Sequence, residues 1–329
     1  MCLSTTKKLT EAAILSSLFI VSTIIAVGSG LGYGIYLDFI VPIFFCIICL
    51  KCEIKYTILS SVSSVLIVSL VLGNIGTAIW ISQGMMIGIL CGFLLSKSTT
   101  ILDDMVYGSI LGIIIMIFID IYGSALIGYS FMQEFQGYSD ILVNKFNIPR
   151  NIVDIAYYMV IGLFPFGTVF SIYYLSLIVG KKLNILKGNS KKKLLIMQSF
   201  KKCGRFICCS KKVFYGCVFF IFTMEIISIL GIKSNNIYIK TVLMSAKYLC
   251  YYFVIRDGYT AIQNFILSKY QKISYARILT LVTITLLATM FKITAVILII
   301  FNIILDTKIN IRIEQINIIN SYANSLVHK

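Results

Sequence analysis

Residues 181–212, KKLNILKGNSKKKLLIMQSFKKCGRFICCSKK, decide how this chain is organised. The stretch carries eleven of the 29 lysine and arginine residues and no acidic residue, and long apolar runs lie on both sides of it. In a membrane protein, a lysine-rich connection shorter than about 60 residues strongly favours the cytoplasmic side. The stretch therefore predicts the direction of every helix. It also divides the chain into a six-helix block (1–180), a basic cytoplasmic loop (181–212) and a second helical block with a short tail (213–329).

The composition is that of an integral membrane protein. Hydrophobic residues make up 59% of the chain and charged residues 13%, whereas a soluble domain has about 25% charged residues. The apolar segments are about 18–28 residues long, enough for an α-helix to cross a hydrocarbon core of about 30 Å. They lack the alternation of apolar and polar residues that is typical of the strands of a membrane β-barrel. The sequence predicts an all-α, polytopic transmembrane bundle of about 8–10 helices.

The predicted helices are Leu9–Val27, Tyr36–Leu50, Tyr56–Leu72, Ile75–Ser96, Met105–Gly128, Ile152–Gly180, Val213–Ile232 and Tyr238–Leu267. The last apolar stretch, residues 276–305, fits either two short helices meeting near Lys292 or one long tilted helix. With the N-terminus inside, nineteen basic residues lie on the inner side through the eighth helix and three on the outer side. The chain contains 24 lysines and five arginines, and its many Lys, Ile, Asn and Tyr residues have A/T-rich codons. We therefore expect a multi-pass protein of a low-GC bacterium, in the cytoplasmic membrane with a cytoplasmic N-terminus.

The net charge of +16 resides mostly in the basic stretch. Membrane lipids with anionic headgroups are the expected partner, at about 1 kcal/mol per basic residue near the surface. Nucleic acid is not predicted as a partner, because the stretch lacks interleaved aromatic residues and a folded basic face.

Small residues recur at four-residue spacing, which lets helix backbones approach closely in a membrane. The first set, in the fourth and fifth predicted helices, is Gly84, Gly88, Gly92, Gly108 and Gly112. The second set, in the first helix, is Ala12, Ala13, Ser16 and Ser17. We expect the glycines to pack the bundle, with dimerisation or docking of a partner as the alternatives. The first-helix set fits either packing in the bundle or docking of a partner protein.

Polar residues within the predicted spans point to a ligand pocket. Ionisable side chains are costly in a membrane and usually face a partner or a cavity. Six polar residues fall in the outer halves of four different helices: Asp38, Asn74, Trp80, Gln83, Asp120 and Asp154. They predict the lining of an outward-opening pocket, with structural charge pairing as the alternative. In the last block, Glu225 and Lys247 fall at similar depth and predict a buried ion pair, with a proton relay as the alternative.

The sequence favours binding over catalysis. It has no P-loop and no nucleophile–base constellation, and its single histidine is His328. Cys46, Cys49 and Cys52 have the spacing of part of an iron–sulfur ligand run, but the fourth cysteine and the following proline are absent. We predict that these cysteines pack in the helix, and we predict no metal, no cofactor and no enzymatic activity.

Three segments carry a resemblance to a known family: KKLTEAAILSSLFIVSTIIA at 7–26, GLGYGIYLDFIVPI at 30–43 and LDTKINIR at 305–312. Together they resemble the YybS-like family of bacterial membrane proteins. The first six helices of that family are similar to the S components of energy-coupling-factor transporters. S components capture small solutes from outside and work with a coupling subunit and two ATPases.

The resemblance implies a small-solute binding or transport subunit, with residues 28–34 as a gate between the first two helices. It also implies docking of the first helix on a coupling subunit through an AxxxA pattern. Here serine replaces the second alanine, in the steps Ala12–Ser16 and Ala13–Ser17. Unlike an S component, the chain continues with further helices after residue 181. The alternative is a structural or regulatory membrane protein that organises envelope or cytoplasmic partners.

Overall fold

The computed structural model describes residues 2–30, 33–128, 130–146, 148–231 and 236–327, and these residues form an all-α protein, as predicted. Residues 31 and 32 of the expected gate and His328 lie outside the described residues. Within the described ranges there is no β-strand. The thirteen helices of this part of the chain, apart from four short helical turns, are α1 (Cys2–Ser29), α2 (Val41–Cys52), α3 (Ile54–Leu72), α4 (Ile75–Ser96), α5 (Ile101–Ile127), α6 (Phe131–Phe146), α7 (Arg150–Lys182), α8 (Gly188–Gln198), α9 (Lys211–Ile229), α10 (Ile237–Tyr270), α11 (Ile273–Thr289), α12 (Phe291–Ile309) and α13 (Ile311–Val327).

Seven helices of the described chain are long and apolar enough to cross a membrane, or eight if α12 and α13 together form one bent span. The seven are α1, α2 with the turn before it, α3, α4, α5, α7 and α9. The protein is therefore a multi-pass membrane protein. The predicted eighth span is helix α10, which is not among the seven because its charged residues and tyrosines lower its mean hydropathy.

The C-terminal region differs from the expected tail. The apolar stretch 276–305 is broken at Met290, where α11 ends and α12 begins, so it forms two helices. Helix α12 continues to Ile309, and the residues from Ile311 onward form helix α13, which bends by 74° from α12. Asn310 makes this bend with a left-handed backbone conformation, φ 53°, a conformation that asparagine tolerates better than most residues.

The chain folds as two compact units. The first unit comprises residues 1–98 and 107–194, and the second comprises residues 99–106 and 195–329. The basic stretch is thus divided between them, and it contains helix α8. Lys193, on α8, is only 4% exposed, and its ammonium group donates a hydrogen bond to the carbonyl of Leu94 at 2.7 Å. The Leu94 carbonyl lies in the last turn of α4 and also accepts a hydrogen bond from the N–H of Lys97. The buried ammonium group therefore adds a second hydrogen bond to this carbonyl and interacts favourably with the helix dipole.

Glycines set the close packing of α4 against α2 in the first unit. A Cβ atom at Gly88 would lie 2.2 Å from the carbonyl oxygen of Pro42, and one at Gly92 would lie 2.6 Å from the Cβ of Cys49. A Cβ atom at Gly84 would lie 3.2 Å from the carbonyl oxygen of Leu37, in the turn before α2, which is a tighter contact than usual. At Gly88 and Gly92 only a residue without a side chain allows the approach.

The second glycine pair packs α5 against α7. A Cβ atom at Gly108 would lie 2.7 Å from a methyl group of Val169, and one at Gly112 would lie 3.1 Å from the Cβ of Pro165. All five predicted glycines therefore lie at helix contacts inside the first unit. These contacts fix the relative positions of the helices that surround the cavity described next.

Candidate functional site

A cavity of about 510 Å³ lies in the first unit, among the turn before α2 and helices α4 to α7. Five of the six residues predicted to form a pocket line it: Asp38, Asn74, Trp80, Gln83 and Asp120. The other described lining residues are Tyr33, Gly76, Thr77, Ile79, Met116, Ile119, Gly123, Ile127, Phe131 and Phe164. Most of these positions lie near the start of α2, the start of α4 and the end of α5, so the cavity is at one end of these helices.

Asp38 is positioned by a widened helical turn. Residues Tyr36–Ile40 form a π-helical turn, in which the N–H of Val41 bonds to the carbonyl of Tyr36. Pro42 explains the widening, because it has no N–H to donate to the carbonyl four residues earlier, that of Asp38. Asp38 and Trp80 of α4 line the same cavity, where the indole is close enough to interact with the carboxylate of Asp38.

The start of α4 is held by a network of polar side chains. The Asn74 side chain accepts a hydrogen bond from the N–H of Thr77 at 3.1 Å and caps the helix. The hydroxyl groups of Thr77 and Tyr33 are 2.8 Å apart. Asn74 thus has a structural task as well as a place in the cavity lining, and Tyr33 joins the chain before α2 to α4.

Asp120 joins α5 to the start of α6. Its two carboxylate oxygens accept hydrogen bonds from the Ser130 hydroxyl at 2.8 Å and from the N–H of Phe131 at 2.6 Å. The residue is 8% exposed. A carboxylate at the first N–H groups of a helix is favourable both as a hydrogen-bond acceptor and through the helix dipole. The position of Phe131, which lines the cavity, therefore depends on Asp120.

Asp154, the sixth predicted residue, lies elsewhere. Arg150 contacts the carboxylates of both Asp140 and Asp154, at 2.8 and 3.8 Å, at the exposed start of α7. The three side chains are about half exposed to solvent, and such pairs contribute about 0–1 kcal/mol. The structure does not bring Asp154 to the other five residues.

Several lining residues, Thr77 and a number of apolar side chains, were not predicted from the sequence, because the prediction considered charged, amide and indole groups. Met116 precedes Asp120 by four residues, and Thr77 precedes Trp80 by three, so each pair shares one face of its helix. Helical spacing from the predicted residues could therefore have found Met116 and Thr77. Phe131 and Phe164 carry no comparable signal, because their place in the lining depends on how α6 and α7 pack.

No family model, no curated protein and no solved structure matches this chain. The interpretation of the cavity therefore depends on its own residues.

The small residues of α1 have two different environments. Ala12 is fully buried, and Ser16 is 5% exposed, with its hydroxyl in contact with the Ser64 hydroxyl and the Ser60 carbonyl of α3. Ala13 and Ser17 lie on the exposed face of the same helix. The Ala12–Ser16 step packs within the bundle, and only the Ala13–Ser17 step is accessible to another molecule.

Glu225 in the second unit has two lysine partners. The Lys247 ammonium group lies 2.6 Å from one carboxylate oxygen, and that of Lys292 lies 3.0 Å from the other. The Tyr251 hydroxyl also donates a hydrogen bond to this carboxylate at 3.1 Å. Lys292 lies just after the break at Met290, so the pair predicted from the sequence is part of a larger polar cluster.

A second buried cluster of the same unit surrounds Arg312. Its guanidinium group lies 2.8 Å from an Asp257 oxygen, donates to the Asn302 side chain at 3.3 Å and also donates to the Cys209 carbonyl. Asp257 in turn accepts from the N–H of Cys209 at 2.9 Å. The sequence reading placed Arg312 in a polar tail. Asp257 could have predicted such a cluster from the sequence, because a charged residue in a largely apolar helix requires a partner of opposite charge.

Two cysteines next to this cluster, Cys208 and Cys209, are buried in surroundings that disfavour the thiolate. Burial, reinforced by the negative charge of Asp257, raises the pKa of the Cys208 thiol to about 12. The same causes raise the pKa of the Cys209 thiol well above its usual value. Because the thiolate is the reactive form, both side chains are poor nucleophiles at neutral pH.

The cysteines of α2 are buried as well. Cys46, Cys49 and Cys52 are free thiols, and Cys49 lies against Gly92 of α4. Among the residues that the structure describes, no group of three or more His, Cys, Asp or Glu side chains is placed to hold a metal ion.

Proposed function

We propose that the first unit is the solute-binding component of a membrane transport system. The observation that carries the proposal is the cavity, which brings together five polar or aromatic side chains predicted from separate parts of the sequence. Its volume of about 510 Å³ falls within the range of about 300–1,000 Å³ found for small-molecule sites. Its mixture of aromatic walls and a few polar groups is also typical of such sites.

The side of the membrane to which the cavity opens is inferred from lysines at the helix ends that lie away from the cavity. The turn before α2 holds Asp38 in the cavity, and α2 continues to Lys51 near its other end. Helix α4 begins beside Asn74 and ends before Lys97. Because lysine-rich ends favour the cytoplasm, we expect the cavity to open to the outside of a bacterial cytoplasmic membrane and the N-terminus to lie inside.

The expected partners follow from the resemblance to S components and the YybS-like family. An S component depends on a coupling subunit and two ATPases, and this sequence has no P-loop of its own. The exposed Ala13–Ser17 step of α1 is the surface that fits such a partner, since small residues allow a second helix to approach closely. The chain itself binds the solute and has no enzymatic step.

Purification of the tagged chain from its native membranes tests this proposal. We expect a coupling subunit and an ATPase pair to co-purify, as measured by quantitative mass spectrometry. The double variant Ala13→Leu, Ser17→Leu should lose these partners, because leucine side chains fill the small-residue face. The control is Ser63→Leu on α3, which places a leucine at another exposed position and should retain them.

Two results would contradict the transport role. One is equal recovery of the partners with both sets of leucine substitutions, which would remove α1 as the docking surface. The other is recovery of envelope or division proteins in place of ATPases, which would favour the structural or regulatory role.

A further inference from the structure

We infer that the cavity of the first unit binds an organic cation whose charged group is joined to an apolar or aromatic body. The inference rests on the proposed function of this cavity as a solute site, and it names the class of solute.

The first argument for a cationic ligand is the sign of the charged residues that line the cavity. Asp38 and Asp120 both line the cavity, and none of the described lining residues is Lys or Arg. Elsewhere in the first unit several acidic side chains have basic partners, as Glu53 has Lys8 and Asp140 has Arg150. Within the described ranges, neither carboxylate of the cavity has such a partner.

The two carboxylates differ in their availability. Asp120 is largely buried, and each of its oxygens already accepts a hydrogen bond from a neutral donor. Asp38 is exposed, with the Trp80 indole as its neighbour. Asp38 is therefore the group that contacts the cationic centre of a ligand. Asp120 adds a second negative charge to the electrostatic field in the cavity.

The aromatic residues of the lining suit the same ligand. Trp80 is 51% exposed, and Tyr33, Phe131 and Phe164 lie around the same space. The faces of aromatic rings attract cations, tryptophan most strongly, and they also pack against flat apolar groups. A carboxylate beside an exposed indole combines both interactions for one positively charged group.

Other ligand classes fit less well. An anionic solute would meet two carboxylates without a compensating positive charge, a repulsion that discriminates strongly in a cleft of low dielectric. A metal site usually includes several His, Cys, Asp or Glu ligands, and the described residues offer no group of three such side chains. A neutral solute would leave both carboxylates uncompensated.

The chain has one tryptophan, Trp80, so its fluorescence reports on this cavity alone. The full chain is purified into nanodiscs of phosphatidylcholine, which has no net charge, and titrated with three probes of similar shape. The probes are phenethylammonium, 2-phenylethanol and 3-phenylpropanoate. We expect a saturable change in Trp80 emission with the cation, at a dissociation constant about tenfold below that of the neutral alcohol. The anion should bind most weakly.

Variants assign the preference to Asp38. Asp38→Asn should weaken binding of phenethylammonium about tenfold and bring it level with the alcohol, whereas Asp38→Glu should keep the preference. Asp140→Asn removes the same charge outside the cavity lining and should leave all three affinities unchanged. Thermal unfolding in the same nanodiscs establishes that each variant is folded. If Asp38→Asn does not fold, the order of the three dissociation constants measured with the unsubstituted chain decides whether the cavity prefers a cation.

The possible failures separate the inference from the proposed function. Tighter binding of the alcohol or the anion would overturn the cation inference while leaving the cavity a solute site. Absence of a saturable response to every probe at millimolar concentration would also overturn it, and the transport role would then depend on the co-purification result. Equal loss of affinity in Asp38→Asn and Asp140→Asn would show that general surface charge, not Asp38, attracts the cation.

Discussion

Replacing Gly88 by alanine should separate α2 from α4 and destabilise the first unit. The added Cβ atom would lie 2.2 Å from the carbonyl oxygen of Pro42 and 2.9 Å from its carbonyl carbon and Cα. An ordinary carbon–oxygen contact is about 3.3 Å, so the two helices must move apart by about 1 Å. The neighbour is backbone of a helix, which cannot rotate away as a flexible side chain could.

The expected loss in the free energy of unfolding for Gly88→Ala can be estimated from the packing of the two helices. Forcing one extra carbon into a filled contact costs about 1–3 kcal/mol. A gap of about 1 Å also loses up to about half of the dispersion energy of each neighbouring atom pair. The contacts of Gly84 and Gly92 lie on the same helix pair, so they weaken together with that of Gly88. We therefore expect a loss near the upper end of this range, about 3 kcal/mol.

Gly167→Ala is the matched control, because a Cβ atom there would meet no atom within 4 Å. Gly167 lies inside helix α7, where alanine is favoured over glycine by about 0.5–1 kcal/mol. Helical circular dichroism during titration with a denaturing detergent gives both free energies of unfolding. Equal stability of Gly88→Ala and Gly167→Ala would refute the close α2–α4 contact and the role assigned to the glycines.

The further predictions concern the stability of the second unit, the reactivity of Cys208 and the orientation in the membrane. Arg312→Met should lower the free energy of unfolding by about 3–5 kcal/mol, measured by the same detergent titration, because it strands a buried carboxylate of Asp257. With its pKa raised to about 12, Cys208 should react slowly with N-ethylmaleimide in the folded chain, followed by mass spectrometry. Because the folded state keeps this proton, the Cys208 contribution to stability is complete below the usual pKa of about 8.5 and declines as the pH rises above it. Orientation is therefore tested with exposed positions: Asn144→Cys should label from outside intact cells, and Lys192→Cys only after permeabilisation. Fast labelling of native Cys208, a stable Arg312→Met variant or labelling of Lys192→Cys from outside would contradict these expectations.

Much of the fold could be predicted, because apolar length and composition determine membrane helices directly. The sequence predicted the all-α class and most of the spans. It did not predict α13, since a polar segment after an apolar helix looks like a solvated tail. The guanidinium group of Arg312 makes that segment part of the unit, and its partners Asp257 and Asn302 lie 55 and 10 residues earlier in the chain. Such pairings depend on tertiary contacts that periodicity does not encode.

The cavity was partly predictable for a related reason. A charged or amide side chain in a membrane span usually faces a polar partner or a cavity. This rule identified Asp38, Gln83 and Asp120 from the sequence, without the packing of the helices. The same rule selected Asp154, which lies at a helix start where Arg150 compensates it. The rule therefore finds polar residues within helices but cannot separate those that face a cavity from those that pair at a helix end.

Asp120 shows why the remaining part of the site could not be read from the sequence. Its oxygens bind the first groups of α6, ten and eleven residues later, and the chain reverses between them at Gly128 in a left-handed conformation, φ 75°. One carboxylate therefore holds the start of α6 and contributes negative charge to the cavity that Phe131 lines. Neutralising Asp120 would change both the shape and the charge of the site. Among the described residues Asp38 holds no helix start as Asp120 does, and its carboxylate interacts with the Trp80 indole, so its substitution changes the charge with less effect on the fold.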